Sequence, residues 1–226
     1  MNTHAPRTRS RLAEIRTERI TSAARQGGFS MLEILVSIFI LTTGLLGLVG
    51  LQAVAHKAEL ESYQRAQALV LLSDFFDRIN TNRKAATCYA ITSNTSSGTP
   101  YIGTAGASAY DPTGGYSCAI SATNASGSTR AQQDLQEFEN VLKGAAEKSS
   151  AGSSIGLMIG ARACIGYDST TQTYTVAIAW QGVSETFSPA TWSSVPAVAK
   201  NCALNLYGND RQRRVVWNSL MIAALS

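Results

Sequence analysis

Apolar and polar positions follow three different rhythms along this chain. From Ile34 to Leu51 there are 18 consecutive residues without a charge, and with its flanks the run extends from Phe29 to Ala55. At 1.5 Å per residue this makes about 40 Å of helix, long enough to cross a bilayer with some tilt. From Gln52 to about Asn80 Gly and Pro are absent, and Ala66, Leu69, Leu72, Phe76 and Ile79 recur at three- and four-residue spacing, with Gln67, Asp74 and Arg78 on the other side. That stripe predicts an amphipathic continuation packed on the chain's own distal part. Phe29 to about Asn80 is therefore expected as one helix of about 75 Å, half membrane-spanning and half amphipathic.

The third rhythm has a period of two. In "TYTVAIAW", Tyr174, Val176, Ile178 and Trp180 alternate with Thr and Ala, the pattern of a half-buried strand. The preceding "GLMIGARACIGY" reads as its hairpin partner across a turn at Asp168 to Gln172, and "RVVWNSLMI" (Arg214 to Ile222) as a further strand. A short amphipathic helix is predicted from about Arg130 to Glu147, with Leu135, Phe138, Val141 and Leu142 buried and Ser128 or Thr129 as N-cap. Residues 92 to 130, dominated by Ser, Thr, Gly, Ala and Asn, read as an irregular loop region with sparse anchors such as Tyr101, Tyr110, Tyr116 and Ile120.

Charge changes the picture at one end. The chain has 226 residues and a net charge of +4. Residues 1 to 28 carry six arginines against Glu14 and Glu18, which accounts for the whole excess, and the remainder is balanced. The bulk of the protein thus has no electrostatic reason to seek phosphate, and nucleic acid is not an expected partner. Arg211, Arg213 and Arg214 read as a solvated turn. Basic residues before the apolar run orient its start toward the cytoplasm, with the rest exported.

A plain anchor and a cleaved secretory signal are two readings of the apolar run, the second drawing on the A-x-A sequence Ala53-Val54-Ala55. The run is longer than a signal-peptide core, and it carries a carboxylate, Glu33, just inside its start. A third reading uses every feature. Gly28-Phe29-Ser30-Met31-Leu32-Glu33 resembles the processing site of type IV prepilins and pseudopilins, over about 27 residues. The resemblance implies removal of a basic leader, residues 1–28, by a prepilin peptidase cutting between Gly28 and Phe29. It further implies N-methylation of the new amino terminus and retention of the apolar helix. A carboxylate in hydrocarbon costs roughly 2.5 to 3.5 kcal/mol. In the family the glutamate at this place neutralises the amino terminus of an adjacent subunit during filament assembly, and that role falls here on Glu33.

The glycines of "TTGLLGLVGLQ" (Gly44, Gly47, Gly50) weaken the helix by up to about 1 kcal/mol each relative to Ala. Close packing in the membrane or local unwinding would each account for them. The string is similar to the corresponding part of the PilV-like minor pilins. Tyr174 to Gln181 and Cys202 to Val216 are similar to that group's C-terminal region, less specifically. The resemblance implies an α+β fold: a type IV pilin-like long helix, 29–80 with its span at about 29–55, packed on an exported antiparallel-sheet domain, 81–226. Implied partners are the prepilin peptidase, other minor pilins, the major pilin and a tip adhesin. The implied location is the bacterial inner membrane and then the surface filament.

Four cysteines, Cys88, Cys118, Cys164 and Cys202, lie beyond the span. They lack the paired spacing or neighbouring histidines of a zinc site, and disulfides suit an exported chain. Three pairings can be drawn; the one joining sequence neighbours, Cys88–Cys118 and Cys164–Cys202, is the expected one. With His4 in the leader and His56 just past the membrane as the only histidines, a triad or Cys-His pair has no base in the distal part. Asp111, Asp168, Glu185 and Asp210 are scattered without a paired-acid spacing. No catalytic residue, metal, cofactor or small-molecule substrate is expected. Two alternatives remain: a minor pseudopilin of a type II secretion system, and a membrane-tethered adhesin using Tyr101, Tyr110 and Tyr116.

Overall fold

A computed structural model describes residues 28–106, 109–112, 118, 125–144, 150–151 and 158–222. Residues 1–27 of the expected leader, together with Tyr116, Ile120 and positions 145–147 of the expected loop and helix, lie outside them. The chain divides into two compact units, Met1–Val49 and Gly50–Ser226. Helix α1, Met31–Thr81, begins in the first and ends in the second.

In the first unit, α1 starts where the Ser30 carbonyl accepts the Glu33 and Ile34 amides at 2.9 and 3.3 Å. Ser30 thereby takes the N-cap position, and Ser30-x-x-Glu33 has the spacing of a capping box. The hydroxyls of this segment are satisfied within the helix: Ser37 donates to the Glu33 carbonyl at 2.7 Å, and Thr42 and Thr43 to the Phe39 carbonyl at 3.0 Å. Such back-bonding lets a hydroxyl sit in an apolar medium without a solvent partner.

The second unit is built on a sheet ordered β1-β2-β3-β4, all neighbours antiparallel. The strands are β1 (Ile102–Gly103), β2 (Ile159–Asp168), β3 (Thr173–Gln181) and β4 (Arg213–Met221). The β2–β3 hairpin closes on residues 169–172 as the turn residues predict; the Asp168 carboxylate accepts the Thr170 amide at 2.8 Å and the Thr171 hydroxyl at 3.0 Å.

Tyr174, Val176, Ile178 and Trp180 face a core shared with Leu72, Phe75 and Ile79 of α1 and with Leu135 and Phe138 of α2, which spans Ala125–Leu142. Phe75 and Phe138 stack at 4.1 Å, and the Trp180 indole N–H donates to Gln64 Oε1 at 3.1 Å. Burying each of these large side chains contributes about 1.5–3 kcal/mol.

Several sequence expectations need correction. The buried stripe of α1 runs Gln64, Ala68, Leu72, Phe75, Phe76, Ile79, while Ala66 and Leu69 are exposed. Counting back from Ile79 in steps of three and four fixes that row, from which Leu69 is turned away. Helix α2 starts at Ala125, so Ser128 and Thr129 are interior residues, and Thr129 donates back to the Ala125 carbonyl at 3.2 Å. A tertiary contact overrides the weak helix formers there: Asn82 Nδ2 donates to the Gly127 carbonyl at 2.7 Å.

Strand β3 is buried on both faces rather than one. Its small side, Ala177 and Ala179, lies in a second core with Tyr101, Cys164, Cys202 and Tyr207 and with Val198 of α3 (Ala197–Asn201). Gly166 is needed for this closeness, since a Cβ there would collide with Val198.

Candidate processing and assembly site

Gly28, Phe29 and Ser30 precede the helix in non-helical, exposed backbone. The Gly28–Phe29 peptide is therefore open to a protease without unwinding α1. A Cβ at Gly28 would meet nothing within 4 Å, so the fold itself places no demand on glycine here. The same holds for Gly44, Gly47 and Gly50. Phe29 is 80% exposed.

Glu33 lies in the first turn of α1, where the helix dipole favours a negative group. From Phe29 to Ala55 it is the one ionisable side chain. Ser37, Thr42 and Thr43 bond within the helix, and among the described residues no cation pairs with the Glu33 carboxylate. Helix α1 is long and apolar enough to cross a membrane, and none of its most apolar window is buried within the chain.

In the second unit, Cys88 is bonded to Cys118 and Cys164 to Cys202, with Cα separations of 5.4 and 5.7 Å. The second bridge ties α3 to β2 inside the small-residue core. The scattered acids have structural neighbours: Glu185 pairs with Arg211 at 3.4 Å, and Asp168 holds its turn. His56 is exposed, 3.3 Å from Glu59. Among the described residues no group of three metal-ligating side chains converges.

Two expectations about surface residues are overturned. Arg213 is fully buried, not part of a solvated turn: Nε meets Asp210 at 2.5 Å, and the guanidinium donates to the carbonyls of Cys202 and Lys200 at 2.9 Å each. Burial pushes the Asp210 carboxyl up, but Arg213 and the Ser188 hydroxyl outweigh it and hold it below the usual carboxylate range. Tyr101, expected as an exposed contact, is 1% exposed and lies against the Arg162 guanidinium, which sits between its ring and that of Tyr207. Burial raises the Tyr207 hydroxyl to about 12, although Arg162 opposes it.

Sequence reasoning missed the polar cluster at the α1–α2 contact. Buried Asp134 accepts the Tyr89 hydroxyl at 2.5 Å and meets Arg78 at 3.3 Å and Arg130 at 3.1 Å. The i, i+4 spacing of Arg130 and Asp134 was the available signal.

Residues 23–49 match the family model described as the prokaryotic N-terminal methylation motif. The matched stretch contains the glycine, the exposed Phe29 and Glu33, and it ends at Val49. It supports a type IV pilin-like or pseudopilin protein, structural rather than enzymatic, processed by a prepilin peptidase and assembled with other pilins in membrane-associated machinery. No curated protein and no solved structure matches the chain.

Proposed function

We propose that this chain is a PilV-like minor pilin. Residues 1–28 form a leader that prepilin peptidase removes between Gly28 and Phe29, and Phe29 is then N-methylated. The helix 29–80 holds the subunit in the inner membrane through about 29–55, with residues 81–226 in the periplasm. The subunit then joins an initiation or tip complex of a type IV pilus, with other minor pilins, the major pilin and a tip adhesin as neighbours. Its role is structural, and no step of it uses a catalytic residue, metal or cofactor.

The observation that carries this reading is the methylation motif over 23–49 around Glu33, a carboxylate that no cation pairs with among the described residues. A neighbouring amino terminus would supply the compensating charge, and two buried charges meet only at one axial register. A minor pseudopilin of a type II secretion system would share all of this, and the genes beside it distinguish the two. The adhesin reading is weakened because Tyr101 is buried.

The test is Glu33→Val in the producing cell. Cleavage should continue while incorporation into filaments drops sharply; normal incorporation would remove the charge-pairing role.

A further inference from the structure

The sheet of the second unit stops at β4, and no described strand pairs with its outer edge. The β3–β4 register is unbroken from Arg213 to Met221, so no bulge turns this edge away. Just before the strand, the Gln212 carbonyl accepts the Gly182 amide, continuing the β3 pairing, and the Arg211 carbonyl accepts the Thr186 amide, at 2.8 Å each. Further along, Trp217 is 37% and Met221 69% exposed. Beside the strand runs the flank of α1, and two clefts lie in the seam. One, of about 470 Å³, is lined by Glu61, Ser62 and Arg65 of α1 with Arg214 to Val216 of β4. The next, of about 330 Å³, is lined by Leu69, Leu72 and Phe76 of α1 and by residues 217–220 of β4, of which Leu220 lies on the α1 face of the sheet.

The seam's chemistry narrows what fits it. Arg65 stands in the first cleft and Asp77 in the second, and neither enters an ion pair among the described residues. They are twelve helical residues apart, about 18 Å along α1, a length that about six residues of extended chain cover. Lipid would leave the strand-edge amides without partners. A packed helix would do the same, because its own backbone groups are already bonded. Nucleic acid would meet Asp77. An extended polypeptide satisfies the open edge, the apolar floor and both end charges together.

We propose that the outer edge of β4 and the adjoining α1 flank accept a strand of about six residues from a second polypeptide, carrying an acidic residue opposite Arg65 and a basic one opposite Asp77. Main-chain bonds to β4 supply affinity, and alternate side chains on the Leu69–Phe76–Leu220 floor supply selectivity. The inference stands whether or not the chain enters a filament.

The test uses the full chain in detergent and the peptide acetyl-Lys-Thr-Val-Thr-Val-Thr-Glu-amide, whose Lys, two Val and Glu share one face, at millimolar concentration, read by amide hydrogen exchange. Slowed exchange confined to the outward amides of β4 is expected. Asp77→Lys and, separately, Arg65→Glu should each weaken the effect roughly three- to fivefold, the size of an exposed ion pair. Unchanged β2–β3 exchange in each variant reports an intact fold. No slowing at β4, or slowing indifferent to both substitutions, would overturn the proposal.

Discussion

Between Met31 and Val49 every large apolar side chain is half exposed or more, whereas between Ala161 and Trp180 the strands are buried on both faces. The two stretches have similar apolar content and opposite solutions. In β2 and β3 the cover comes from the chain itself: α1 and α2 on the large-residue side, α3 and its disulfide on the small-residue side. Among the described residues nothing covers Met31 to Val49, although Ser37, Thr42 and Thr43 are bonded within the helix and the Glu33 carboxylate has no cation beside it. A segment so arranged is suited to an outside medium and an outside cation. Fold and maturation should therefore fail separately, each under substitutions in its own region.

Gly28→Val should give the largest effect. The space around Gly28 is open, so the fold should tolerate the change, yet processing should stop and the precursor accumulate at full length. Immunoblotting of membranes, with near-UV circular dichroism of the extracted protein, separates these outcomes; a misfolded second unit would break the contrast. Arg213→Met acts in the opposite sense. It strands Asp210 and two carbonyls, and should cost about 3–5 kcal/mol in denaturant unfolding while leaving cleavage intact. Arg211→Ala, on the exposed side of the same cluster, should stay within about 0.5 kcal/mol.

Next in size is the paired change Cys164→Ala with Cys202→Ala. It opens a loop whose ends are 38 residues apart in sequence and should cost about 3–4 kcal/mol in the chain-entropy model. An alkaline titration tests the buried phenols of the second unit. Burial raises the Tyr174 and Tyr207 hydroxyls from the ordinary 10.0 to about 12. The unfolded chain thus releases these protons first, and their stabilisation is complete below pH 10 and lost as pH rises toward 12. Unfolding midpoints measured across that window should fall; constant midpoints would mean that these phenols titrate as they do in the unfolded chain.

What could be read in the sequence was whatever depends on neighbours along the chain. The alternation from Tyr174 to Trp180, the Asp168 turn and the Gly28-to-Glu33 motif are local patterns, and the fold class follows from them. What could not be read depends on distant neighbours. "RQRR" is polar in every window, and only the folded chain brings Asp210 and the Lys200 and Cys202 carbonyls around Arg213. Helix α3 has five residues and no periodicity to display; the Cys164 bridge and the space at Gly166 hold it in place. Tyr101 sits in a Ser/Gly-rich stretch whose composition suggests exposure, yet its ring covers a guanidinium from another strand.

As a minor pilin, the chain would be cut between Gly28 and Phe29 and keep its apolar helix. Intact-mass measurement of protein extracted from membranes, followed by sequencing of its amino-terminal peptide, tests this most directly. The predicted result is a chain beginning at Phe29 with one added methyl group on its amino nitrogen. A chain beginning at His56, cut after Ala55, or one still carrying Met1 and the leader, would contradict it.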